Sequence, residues 1–140
     1  MTINLNLDAI GNAFFLLASM FFMHVVADFN LQGIMASMKQ KDWWKKQEGY
    51  DAEDNKYDYK PPLFWHSFQW SFCIMLPLFV ANNFKIDFIS LVFLGLNIFC
   101  HYTIDNSKAN GHYINLVTDQ IIHVLQIVGT FICSGIWMWM

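Results

Sequence analysis

Hydrophobic side chains fall in four long runs, at about residues 9–34, 63–81, 86–106 and 114–138, with polar residues between them. At about 1.5 Å of rise per residue, each run reaches across most or all of a hydrocarbon core of about 30 Å, so each predicts a membrane-spanning helix. Asn82-Asn83-Phe84-Lys85 makes a tight turn between the second and third runs, and residues 107–113, which include Gly111, make a short connection between the third and fourth. Pro61-Pro62 suits the first turn of the second helix, where a missing N–H costs nothing. Pro77 predicts a kink near the far end of that helix, and Gly33 marks fraying at the end of the first.

Residues 37–62 differ in character. Lys39, Lys41, Lys45, Lys46, Lys56 and Lys60 stand there against Asp42, Glu48, Asp51, Glu53, Asp54 and Asp58. The segment predicts a water-facing loop, with Trp43-Trp44 anchored at the headgroup level, as the chain's terminal Trp137 and Trp139 also are. Residues 1–8 form a polar lead whose only charge is Asp8. It has no basic stretch, and His24 and Asp28 stand where a cleavable signal needs small residues, so the first run is expected to be a retained span.

Four spans joined this way predict an all-α, up-down-up-down membrane bundle formed by one domain over residues 1–140. The loop and the 107–113 connection carry seven lysines and the other side only Lys85, so the positive-inside rule places the loop in the cytoplasm and both termini outside a bacterial inner membrane. Composition agrees: 56% of residues are hydrophobic and only 14% charged, well below the roughly one-quarter of soluble domains. A net charge of −3 with no arginine excludes the clustered basic face that nucleic-acid binding needs. Cys73, Cys100 and Cys133 are odd in number and lie apart, which argues against a disulfide framework or a thiolate zinc site.

Ionisable groups interrupt each apolar run. The first carries His24-x3-Asp28-x3-Gln32, the second opens with His66, the third ends with His101-x3-Asp105-x2-Lys108, and the fourth begins Asp119-Gln120-x2-His123. Residues three and four apart share a helix face, and intramembrane charges are costly enough to imply function. Although the chain alternates direction, all four sets fall near the same, lysine-rich end of the bundle. Imidazole nitrogen with carboxylate oxygen is the ligand mixture of zinc, manganese or iron, and helix bundles supply such ligands from facing helices. His24, Asp28, His66, His101, Asp105, Asp119 and His123 are therefore the expected ligands. Seven exceed the needs of one tetrahedral ion, which leaves open two metals or one metal with carboxylates orienting histidines. Asp28 and His66 are also candidate acid/base groups. Gln32 and Gln120 are candidates for binding substrate, and Lys108 for neutralising an anion or a developing oxyanion.

These motifs resemble those of a family of small bacterial and phage membrane proteins defined only by an uncharacterised domain. The likeness covers most of the chain apart from the 37–62 loop and implies no activity. The arrangement is similar, more loosely, to inner-membrane proteins described as metal-dependent hydrolases. That likeness implies, by analogy, a metal-dependent hydrolase; because the polar groups lie at the depth of the lipid headgroups at the cytoplasmic interface, a lipid or lipid-linked phosphoester is the expected substrate, with membrane lipids as partners. Two other readings stay open: a proton or metal-ion transporter that uses the buried His/Asp chain, and a membrane interaction protein with a structural polar core. Four short spans also make a homo-oligomer plausible.

Overall fold

The computed structural model describes residues 7–139, and the side chains of residues 8–135. The polar lead over residues 1–6 and the side chains of Trp137 and Trp139 lie outside them. Four helices are long and apolar enough to cross a membrane: α1 (Leu7–Val25), α4 (Lys60–Ala81), α5 (Phe88–Ala109) and α6 (Leu116–Trp139). Two single-turn helices, α2 (Met35–Met38) and α3 (Lys41–Trp44), lie in the long connection, and no strand occurs among the described residues. α1 packs on α4, α4 on α5 and α5 on α6, and α6 closes back on α1, so the fold is the expected four-helix membrane bundle.

Burial follows from that ring. Met20, Trp70, Ile74, Met75, Leu78 and Ile127 form the apolar centre, to which α4 contributes most. Phe14, Phe15, Phe22, Phe99 and Leu125 point outward, where lipid rather than water meets them.

The helix limits differ instructively from the apolar runs. The first span stops at Asn30 rather than near residue 34, and its last turn, Val26–Asn30, is a wide π turn in which the Leu31 N–H donates to the Val26 carbonyl at 2.9 Å. Gln32 ends it by folding back, its Nε2 donating to the Asp28 carbonyl and, at 2.8 Å, to Asp28 Oδ1. Gly33 then turns the chain at a φ of +51°, a conformation that disfavours a Cβ. α4 starts three residues earlier than expected and takes both prolines into its first turn, and it runs through Pro77 as one helix. α5 begins after Asp87, whose Oδ1 accepts from the Ser90 N–H at 2.7 Å, and runs a turn past the expected residue 106, so Lys108 is helical. α6 is capped by Asn115, whose Oδ1 accepts from the Thr118 N–H at 2.9 Å.

The 37–62 loop is not water-facing throughout. Lys39 is buried at 5% exposure. Asn110, at the end of α5, fastens the strap around it: its Nδ2 donates to the Lys39 carbonyl at 3.0 Å, and its Oδ1 accepts from the Lys41 N–H at 2.7 Å. Trp44 Nε1 donates to the Met38 carbonyl at 2.6 Å, which tethers the Trp43-Trp44 edge to α2.

Candidate metal centre

His24, Asp28, His66, His101, Asp105, Asp119 and His123 are all buried at the end of the bundle that the strap covers. By helical rise they lie roughly 3–12 Å inside the helix ends, so four antiparallel segments do deliver their polar groups to one level. On α5, one face carries His101, Asp105 and Lys108; on α6, Asp119 and His123 stand one turn apart.

The imidazoles and carboxylates interlock. His66 Nε2 lies 3.1 Å from His101 Nε2, 3.2 Å from Asp105 Oδ2 and 3.5 Å from Asp28 Oδ1. His123 Nε2 lies 3.3 Å from Asp119 Oδ1 and 3.5 Å from Asp105 Oδ1. The rings are held flat by stacking: Trp70 on His101 at 4.1 Å, and His101 on His123 at 4.3 Å between centroids. Such pairs add about 0.5–1.5 kcal/mol each beyond burial, so orientation is fixed as well as position.

Two lysines brace the carboxylates. Lys39 Nζ donates to Asp105 Oδ2, and Lys108 Nζ to Asp119 Oδ2, each at 2.5 Å. The other oxygen of each carboxylate, Oδ1, is buried without a hydrogen-bond partner, and so is His123 Nε2. These buried atoms face one another across His123 with no hydrogen bond between them, and an unpaired polar group in such a place is costly. A tetrahedral ion with bonds of about 2.0–2.2 Å holds its ligand atoms about 3.3–3.6 Å apart, and the two spacings from His123 Nε2 are 3.3 and 3.5 Å. His101 joins Asp105 and His123 in a group whose donor atoms lie within 4.8 Å of one another; Asp28, His66 and His101 form a second such group, and Asp28, Asp119 and His123 a third. The donor set fits a divalent cation. With its histidines neutral the cluster is negative by one charge, since Asp28, Asp105 and Asp119 outnumber Lys39 and Lys108.

His24 is placed differently from the other histidines. Trp70 Nε1, which only donates, bonds His24 Nδ1 at 2.8 Å. The neutral ring therefore carries its hydrogen on Nε2, which donates to Gln120 Oε1 at 3.1 Å. Both nitrogens are engaged, so His24 orients Gln120 and offers no ligand atom in this geometry. Gln120 Nε2 passes the order on, donating to Asp28 Oδ2 at 2.8 Å and Asp119 Oδ2 at 3.1 Å. Gln32 likewise binds Asp28. Both glutamines expected to meet substrate are occupied in aiming carboxylates.

Two members of the cluster escaped the sequence reading. Lys39 stood within a charge run that resembles any solvated connector. Trp70, by contrast, lies four residues after His66 and so on its face, a signal that was present. Outside the spans, Lys45 donates to Asp42 at 2.8 Å and holds that carboxyl below its usual range, but the pair is exposed and remote from the cluster.

No family model, no curated protein and no solved structure matches the chain.

Proposed function

We propose that the cluster binds a divalent metal ion and that the protein is a membrane-embedded metal-dependent hydrolase of a lipid or lipid-linked phosphoester. The observation that carries this reading is the convergence of buried donor groups, His101 with Asp105 and His123 above all, where His123 Nε2 and Asp105 Oδ1 lie 3.5 Å apart, the spacing of two ligands on one ion. A bound divalent ion supplies Lewis acidity and a water whose pKa falls to about 7.

The protein's own groups do the rest. Lys39 and Lys108 each bond one oxygen of Asp105 and Asp119, which would leave the other oxygen of each carboxylate for an ion. Asp28 and His66, in contact with each other beside His101, are placed to accept and return a proton. Lys108, with 23% of its side chain exposed, is the cationic group of the cluster that an arriving anionic headgroup meets. The depth of the cluster, a few ångströms below the helix ends, is where a phospholipid presents its ester and phosphate groups. The lysines around it favour the cytoplasm for this end by the positive-inside rule.

Elemental analysis of the purified protein, with phosphoester hydrolysis assayed on mixed phospholipid vesicles, tests the reading. We expect a stoichiometric divalent metal, and activity that is lost on chelation and regained on reloading. A metal-free preparation with full activity, or a metal-loaded one inert towards every phospholipid supplied, would sink it.

A further inference from the structure

The polar interior does not end at the cluster. One turn beyond His123 on α6, Gln126 Nε2 donates to Asn97 Oδ1 at 2.8 Å, and Thr130 Oγ1 donates to the same atom at 3.0 Å. Asn97 stands one turn beyond His101 on α5, is 3% exposed, and reaches α4 through a 3.8 Å contact from its Nδ2 to Met75 Sδ. Farther on lies Ser134, also buried. The sequence of the outer halves looks dry because these residues are spaced singly among apolar ones. Asp119, His123, Gln126, Thr130 and Ser134 follow one side of α6 over about 22 Å at 1.5 Å per residue.

Interhelical amide and hydroxyl pairs are a known glue of membrane bundles, and the Asn97–Gln126 pair serves that purpose. Glue alone leaves two facts unexplained. Ser71 Oγ on α4, fully buried, has no hydrogen-bond partner, and Gln126 Oε1 has none either. Near the far surface, a cavity of about 20 Å³ is bounded by Ser134, Ser90 and Asn82 together with Met75 and Phe93. A water requires about 10–15 Å³ and two to four polar partners, so this cavity takes one water. At the opposite end, Lys39 of the strap is buried against the cluster and Lys108 is partly exposed.

We propose that α4, α5 and α6 enclose a proton path leading from the far surface to the buried cluster. Waters bridge the Asn82/Ser90/Ser134 cavity to Thr130 and Ser71, and the unpartnered oxygens of Ser71 and Gln126 hold them in file. The hydroxyls and waters each accept one proton and release another, so no bond is made or broken on net. The amides do not relay; Asn97 and Gln126 orient the file. The protein is thereby a selective proton conductor, whatever chemistry the cluster performs.

The test uses the full-length protein in liposomes that contain a pH-sensitive dye, with a potassium gradient and valinomycin setting the voltage. Wild type should acidify the lumen faster than protein-free liposomes, and Thr130→Val and Ser71→Ala should each return the rate to that baseline. Thr130→Ser should restore conduction. Thermal midpoint and metal content, read on the same samples, separate lost conduction from lost folding; should Thr130→Val fail to fold, Ser71→Ala decides the matter. Wild-type flux equal to the empty liposomes, flux unchanged in the folded valine and alanine variants, or equal passage of sodium would each overturn the proposal. None of these results bears on metal-dependent hydrolysis, which is assayed separately.

Discussion

Lys39 reaches from the strap to Asp105 at 2.5 Å, and both groups are buried, at 5% and 0% exposure. A residue from the most hydrophilic stretch of the chain thus neutralises a carboxylate at the centre of the bundle. Removing one partner of such a pair strands the other charge, at a cost of about 3–5 kcal/mol. Lys39→Met should lower the thermal midpoint sharply in metal-free protein. Excess divalent metal should recover most of the loss, because it neutralises Asp105 in the ammonium's place. Equal losses with and without metal would show that Asp105 is not a ligand.

Ligand and positioning roles predict different metal contents. His123→Ala and Asp119→Ala should abolish stoichiometric metal, whereas His24→Ala should retain it, because both nitrogens of His24 are already bonded to Trp70 and Gln120. Elemental analysis of the three variants decides.

Trp70 supplies the hydrogen that fixes the His24 tautomer and the ring that stacks on His101. Trp70→Phe keeps much of the stack and removes the donor. An unsatisfied buried acceptor costs about 1–3 kcal/mol, so thermal unfolding in detergent should show that loss while metal content persists.

Asn110 closes the strap by two bonds to backbone groups of residues 39 and 41. Asn110→Ala should speed amide exchange over residues 34–45 and raise the rate of metal loss to a chelator, with little change in exchange within α4. A Gly33→Ala change should act in the same direction through strain at φ +51°, costing about 1–2 kcal/mol, since open space leaves a Cβ nothing to clash with.

How much of this was legible follows residue by residue. The bundle was, because an apolar run long enough to span a membrane has few other solutions. The convergence of His66, His101, Asp105, Asp119 and His123 was as well, since helical spacing and alternating direction place them at one end. Lys39 was not: its burial depends on Gly33 and Asn110 folding the strap inward, which no periodicity encodes. His24 kept its place but not its expected task, because which nitrogen is occupied depends on a tryptophan from another helix. Asn97 sat four residues before His101, on the same face, and was legible once that face was followed to its end.

The π turn at Val26–Asn30 carries one more implication. A widened turn adds a residue without lengthening the helix by a full step, so the chain on either side keeps an independent angular phase. Upstream, α1 can set its phenylalanines by the needs of the bilayer; Asp28, within the turn, answers only to the buried His/Asp cluster. Drift in the lipid-facing half can accumulate without turning the carboxylate away from its neighbours.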